Sequence, residues 1–342
     1  MLNGAVIGCG PAGRTHLAAW RRVKTARIEC VLDTDTARAA RAARDFGVRR
    51  QFSDFDRMAV QARLDFVDVA CGVDAQPLVA AQALAAGWHV LCETPLAPAL
   101  EQARELVELA EAKRRRLGVA YAERWRAAFR ELKRRLEGGA VGPAHYARIA
   151  DRRPLSRVRP ADPARPALDA ARRLLVLEGL TGCFDLIRWL FGEITAVWGA
   201  TGRHNPAVRG EDFALSVLRA GAVPTSVILD VNWSAPLPGR RSKAATLPEV
   251  RIEGAAGALE LDPQARALLC RGHAGGAAEQ PLPPVPDVRL EPYVELLGHF
   301  AECVESGKPM ENEGLAALEP LAAALAVYES AQSGGLVLLK KP

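Results

Sequence analysis

The sequence predicts an α/β chain in two parts. The first is an N-terminal parallel sheet covered by helices. The second is a C-terminal α+β part built on a large, mostly antiparallel open sheet. Over residues 1–121 short apolar runs alternate with helical stretches. Strands separated by helices assemble in parallel through right-handed crossovers and bury both faces of the sheet. From residue 194 to 261 strand-like runs instead follow one another with no helix between them, the pattern of antiparallel pairing. A chain of 342 residues suits two domains at roughly 100–200 residues each. The expected division is 1–121 and 122–342.

The first part opens on the apolar run 4–8, followed by a helix over 13–23 in which Leu17, Trp20 and Val23 keep helical spacing. A strand at 26–32 ends at Asp33, and an Ala/Arg-rich helix over 36–46 stops at Gly47. Strands at 65–71, 88–92 and 117–121 alternate with helices at 76–86 and about 98–116. The second part begins with a helix near 126–137 and a strand at 144–150. An Arg- and Pro-rich loop is expected over 151–168, then a helix over roughly 169–191. Strands follow at 194–200, 212–219, 223–233, 248–253 and 257–261. Residues 272–287, rich in Gly and Pro, read as a loop, and helices at 291–306 and 312–332 close the chain.

Hydrophobic residues make up 49% and charged residues 25%, so there is ample apolar surface for a core and disorder is disfavoured. The net charge of +5 is mild. The basic runs 113–116 and 133–135 read as solvated helix ends, because no nucleic-acid motif accompanies them. Seven cysteines in no C-x-x-C spacing fit a reducing compartment better than a disulfide framework. No leader-like segment and no membrane-spanning run is read, so the expected location is cytoplasmic, with neither nucleic acid nor membrane as partner.

The strongest local signal is GCGPAG at 8–13, a G-x-G-x-x-G set between a strand and a helix. In that setting Gly8 makes the tight turn, Gly10 admits a pyrophosphate, and Gly13 lets helix and strand pack closely. Pro11 and Ala12 complete the loop, and the helix N-terminus supplies free N–H groups and a positive dipole end. Asp33 stands twenty residues after Gly13, where a carboxylate can accept ribose hydroxyls and repel a 2′-phosphate. The expected part is therefore a Rossmann domain, and NAD(H) is favoured over NADP(H). Arg38 is expected at a phosphate or on the adenine.

Further motifs extend the pattern. His16 follows the glycine loop, AGWHVLCETPLA occupies 86–97, YAERW occupies 121–125, and VRIEGAAGALELD occupies 250–262. Together with the last fifty residues, these make the chain resemble the glucose-fructose oxidoreductase/inositol dehydrogenase (Gfo/Idh/MocA) oxidoreductases. The resemblance implies a second domain whose open sheet faces the active site or an oligomer partner. It implies that Glu93, Thr94 and Pro95 lie beneath the nicotinamide, with a cis peptide before Pro95. Cys71, Glu93 and Pro95 join the expected cofactor contacts. The family's substrate-polarising lysine falls on Thr94, and its D-x-x-x-H motif falls on Glu178 and Gly182. The His after the fourth strand is replaced by Gln76, and the preceding Pro by Gly72.

With that lysine and histidine absent, the expected catalytic candidates are Glu178, Tyr121 and Thr94. Glu178 preserves a carboxylate, and Tyr121 offers a phenol at a strand end. Thr94 can donate a hydrogen bond but is neither charged nor a base near neutral pH. Arg124 and the pair Arg152 and Arg153 are candidate substrate-binding groups through their forked donors. His16 reads as a packing or phosphate-side residue, and His204 as a loop residue able to relay a proton. His299, Glu302 and Cys303 have helical spacing, but no metal site is expected from them without a fourth ligand.

The expected activity is NAD(H)-dependent oxidation or reduction of a sugar, polyol or related hydroxy/keto compound. A small-molecule substrate and a homodimer or homotetramer through the C-terminal sheet go with it. Two alternatives stay open: a dinucleotide-binding sensor or assembly partner without turnover, and a non-redox enzyme using tightly held NAD.

Overall fold

A computed structural model describes residues 1–152, 171–206, 208–234, 247–261, 267–272, 276–282 and 285–340. Arg153 and nearly all of the expected 151–168 loop lie outside the described residues. So does part of 272–287. The chain divides into two compact units, one of residues 1–122 with 289–321 and one of residues 123–288 with 322–342.

The first unit is a six-stranded sheet in the order β3-β2-β1-β4-β5-β6. The strands are β1 Leu2–Ile7, β2 Ala26–Leu32, β3 Arg50–Phe52, β4 Phe66–Val69, β5 His89–Cys92 and β6 Leu117–Val119. Every pairing is parallel. Helices α1 Pro11–Trp20, α2 Thr36–Phe46, α3 Phe55–Gln61, α4 Gln76–Ala85 and α5 Leu100–Lys113 connect them. This is the doubly wound dinucleotide-binding order. Val6, Val31, Phe66, Val67, Val90 and Leu91 are wholly buried, as strands covered on both faces require. Asp35 caps α2 by accepting from the Ala37 and Arg38 N–H groups at 3.0 Å each. Gly47 closes α2 in the left-handed conformation, φ 69°. β3 and α3 escape sequence reading because they span only three and seven residues, too few for a periodicity to emerge.

Residues 289–321 cluster with this first unit, whereas the expected division grouped them with 122–342. Helix α8, Glu291–Ser306, packs on α1. Phe300 meets Phe66 edge-on at 5.6 Å, and Tyr293 lies 5.1 Å from the His16 ring.

The second unit carries a nine-stranded sheet in the order β14-β13-β12-β11-β7-β10-β9-β8-β15. Its strands are β7 Ala144–Arg152, β8 Ile194–Gly202, β9 Phe213–Ala220, β10 Thr225–Asn232, β11 Glu249–Gly254, β12 Gly257–Leu261, β13 Ala267–Gly272, β14 Ala277–Pro281 and β15 Val337–Leu338. The β7–β10 pair is parallel and the others are antiparallel. Helices α6 Ala127–Glu137, α7 Leu180–Phe191 and the C-terminal part of α9, Leu318–Ser333, accompany it. Period-2 alternation fixes the faces. Val227, Leu229 and Val231 of β10 are buried in one core with Phe129, Phe184, Ile187 and Val327. Ser226, Ile228 and Asp230 point to the opposite, more exposed face. The expected loop at 272–287 holds β14, and the expected helix start at 312 lies two residues before a 3-10 turn, Gly314–Ala317, that precedes α9.

Candidate active site

The glycine loop meets the three geometric demands of a pyrophosphate cradle. Gly8 has φ 97°, and a Cβ there would lie 2.4 Å from the Ala70 carbonyl oxygen. A Cβ on Gly13 would fall 1.8 Å from the Gly8 oxygen, so α1 can lie this close to β1 only without one. At Gly10, by contrast, a Cβ would meet nothing within 4 Å. That open position, beside the N-terminus of α1, is where a nucleotide phosphate can approach the backbone. Pro11 sits at the start of α1, where its missing N–H costs no helical bond.

Asp33 stands just after β2 and fastens the loop. Its Oδ2 accepts the Cys9 N–H at 2.8 Å, and its Oδ1 accepts the Asp35 N–H at 2.9 Å. Arg38 lies 3.2 Å from Asp33 and 3.4 Å from Asp35. Its charge is therefore met by two carboxylates before any phosphate arrives. Cys71, half-buried beyond β4, is a neutral thiol, pushed up to about 11 chiefly by burial.

The turn after β5 is held from several sides. The Thr94–Pro95 peptide is cis, as the resemblance implies. Glu93 Oε2 accepts the Thr94 N–H at 2.7 Å, with the Thr94 hydroxyl at 3.4 Å. The buried Gln76 amide donates to the carbonyls of Glu93 and Pro95 at 2.7 and 2.6 Å. Gln76 is thus a bracket for this turn, a role its sequence position alone did not reveal. His16 is wholly buried, with Nδ1 2.9 Å from both Asp68 oxygens and Nε2 3.1 Å from Glu93 Oε1. Trp20 Nε1–H donates to Asp68 at 2.7 Å. The imidazole, packed against Tyr293, is thus also the link between two carboxylates. Burial alone would lower its pKa; the coulombic pull of Asp68, with the hydrogen bonds to Asp68 and Glu93, outweighs that and raises it to about 10.

In the second unit Glu178 sits on a π-helical turn, Leu175–Gly179, immediately before α7. Such turns are rare and recur at functional sites. Glu211 and Tyr328 hold its backbone. Glu211 accepts the Val176 N–H at 2.9 Å and the Leu174 N–H at 3.3 Å. The Tyr328 hydroxyl accepts the Leu177 N–H at 3.1 Å and donates to Glu211 at 2.5 Å. Gly182 needs no special space, since a Cβ there would make ordinary contact with Glu123 at 3.6 Å.

Three expected site residues have other work. Tyr121 is wholly buried, and its hydroxyl donates to the Ala317 carbonyl at 3.0 Å within the first unit. Arg124 is buried and forks onto Asp185 of α7, with Nε at 2.7 Å. Arg152 pairs with Asp230 on the more exposed face of the sheet, with Nη1 at 2.6 Å. Leu175 and Val176 of the π turn pack on the opposite, core side. An Arg at a strand end looks available in sequence; the carboxylate that claims it lies 61 or 78 residues away. His204 is exposed in the loop after β8, stacked edge-on with Phe213 at 5.8 Å. His299 and Cys303 face each other at 3.5 Å. Among the described residues no group of three metal-ligating side chains assembles, and no helix is long and apolar enough to cross a membrane.

Comparison with known proteins gives these features a family. Residues 2–121 match the oxidoreductase family with an NAD-binding Rossmann fold. Residues 129–260 match the Gfo/Idh/MocA C-terminal domain. D-apiose dehydrogenase of Paraburkholderia graminis is 31% identical over 346 aligned positions, covering 99% of this chain and 90% of that protein. Inositol 2-dehydrogenase of Acidothermus cellulolyticus is 31% identical over 67% of this chain and 65% of its own length. A crystal structure of an Agrobacterium radiobacter oxidoreductase in complex with NAD+, L-tartaric acid and magnesium superposes with a TM-score of 0.90, at 26% identity over 98% of each chain. With both of its parts matched and a relative aligned along nearly its whole length, this chain belongs to the Gfo/Idh/MocA family of NAD-binding oxidoreductases.

Proposed function

We propose that the chain is a dehydrogenase of a sugar, polyol or related hydroxy/keto compound, with NAD(H) favoured over NADP(H). The observation that carries this reading is the glycine loop, close-packed at Gly8 and Gly13 and open at Gly10, with Asp33 beside it. The substrate class is supported by the relatives, which act on D-apiose and inositol. The bound nicotinamide supplies the hydride acceptor or donor. The chain's own groups bind, orient and handle the proton. The N-terminus of α1 receives the pyrophosphate. Asp33 accepts ribose hydroxyls and disfavours a 2′-phosphate, and Arg38, already paired, offers such a phosphate little. Thr94 donates a hydrogen bond to the reacting oxygen, and Glu178 serves as the acid–base or orienting carboxylate. A homodimer or homotetramer through the C-terminal sheet goes with this reading. It is supported by the partly exposed Trp198, Leu215 and Ile228 and the exposed Val217 on the face away from the core.

Nicotinamide fluorescence tests the cofactor site. Purified protein should bind NADH more tightly than NADPH, and Asp33→Ala should erase that preference. Failure to bind either nucleotide would overturn the reading. Oxidation of D-apiose and myo-inositol, followed as NADH absorbance, then sorts the substrate class. Light scattering that returned a monomer would remove the oligomer. Seven free thiols support a reducing, cytoplasmic location; recovery in a membrane or exported fraction would refute it.

A further inference from the structure

A line of three ionisable groups that the glycine loop does not need runs from β4 to the turn after β5. Asp68 on β4 is wholly buried and gives both oxygens to His16. His16, on the helix that opens at the glycine loop, reaches through its other nitrogen to Glu93. Glu93 is the open end of the line, its side chain 15% exposed, and its second oxygen is fixed by the Thr94 N–H. The imidazole bridges two carboxylates, so it holds both ring protons and donates on each side. Two carboxylates around one imidazolium leave one formal negative charge. That charge sits at the carboxyl end of β5.

The topology says which half of a dinucleotide that charge meets. In a doubly wound sheet the ligand lies outside the carboxyl ends of the strands and crosses the switch point between β1 and β4. Asp33, at the end of β2, marks the adenosine side. The other half extends over β4 and β5, whose carboxyl ends carry Cys71 and Glu93. Only the oxidised nicotinamide ring carries a positive charge; the pyrophosphate is equally charged in both forms.

We infer that the Asp68–His16–Glu93 line is an electrostatic element that holds the oxidised cofactor more tightly, relative to the reduced one, than a neutral turn would. This rests on the cofactor reading given above. The charge discriminates because it faces a low-dielectric interior on one side, where Coulomb interactions are strong. By linkage, tighter holding of the oxidised form makes the bound reduced form a better hydride donor by the same factor. Glu93 is a cofactor-facing residue here; His16 and Asp68 position it and set its charge.

The test compares affinities in the full-length protein at one ionic strength. NADH is titrated by fluorescence and NAD+ by displacement of NADH. Glu93→Gln keeps the shape and neutralises the line, so the ratio of the NAD+ to the NADH dissociation constant should rise on the order of tenfold. Glu93→Asp keeps the charge and should leave the ratio near that of the wild type. Glu93→Ala reads the same charge change should the Gln variant not fold. An unchanged ratio in the neutral variants, or equal weakening of both nucleotides, would overturn the inference and leave the cofactor reading standing. Wild-type protein that bound neither nucleotide would remove both.

Discussion

The turn after β5 and the π-helical turn before α7 each present a carboxylate, but they are braced in opposite ways. At the first, charged groups hold a side chain: Asp68 holds His16, His16 grips Glu93, and Gln76 donates to the backbone carbonyls of Glu93 and Pro95. At the second, Glu211 and Tyr328 hold the backbone itself, meeting the N–H groups of Leu174, Val176 and Leu177. A charged brace transmits electrostatics as well as position. A brace on backbone N–H groups chiefly fixes position. Disturbing the first should therefore be dear in stability and sensitive to pH, and disturbing the second should be local and mild.

His16→Gln should have the largest effect. It leaves the wholly buried Asp68 without its counter-charge, and breaking such a pair costs about 3–5 kcal/mol. The pH dependence has a definite sign. The folded pKa of His16 is raised to about 10, above the value near 6.5 expected for the unfolded chain. Its stabilisation is thus fully present below about pH 6.5 and is lost as pH rises through about 10. Urea unfolding at pH 6, 8 and 10 should show wild-type stability falling across that window, with a shallower fall in the variant. Equal slopes in the two proteins would mean that the imidazole is not the titrating brace.

Gly13→Ala comes next. Its methyl would lie 1.8 Å from the Gly8 oxygen, backbone against backbone, so the loop must shift at a cost of about 3 kcal/mol. Gly10→Ala separates binding from folding at the same loop. Its methyl enters open space at φ −69°, so the melting temperature should hardly move while NADH affinity collapses. Retained NADH affinity in Gly10→Ala would remove the pyrophosphate from this loop.

The same contrast explains what was legible in the sequence. The glycine loop, the acid after the second strand and the Glu93–Pro95 turn are runs or fixed offsets along the chain, so spacing reveals them. The braces are not. Asp68 lies inside the apolar run 65–71, and nothing nearby shows that His16 and Trp20, 52 and 48 residues away, both end on it. Tyr328 reaches Leu177 across 151 residues. The partners of Tyr121 and Arg124, Ala317 and Asp185, were hidden for the same reason, being remote in sequence. Glycine and proline content hid β14, which is defined by pairing with β13 and not by its own composition.

Tyr328→Phe should cost less stability than His16→Gln or Gly13→Ala, and it sharpens the comparison most. The change removes one oxygen, which accepts from Leu177 and donates to Glu211. The phenol is pushed up chiefly by burial and then by Glu211, so it is a neutral donor throughout the working pH range and no pH term enters. An amide left without its acceptor costs about 1–2 kcal/mol. Because the Leu175 and Val176 side chains stay in the core, the loss should stay at the turn. Hydrogen exchange should speed up at Leu177 and its neighbours and remain unchanged in the six-stranded sheet. Affinity for NADH should equal that of the wild type, since the two partners of the Tyr328 hydroxyl, Leu177 and Glu211, are not residues of the glycine loop. If exchange quickened throughout the second unit instead, the π turn would be part of what holds that core together, and the distinction between a braced side chain and a braced backbone would fail.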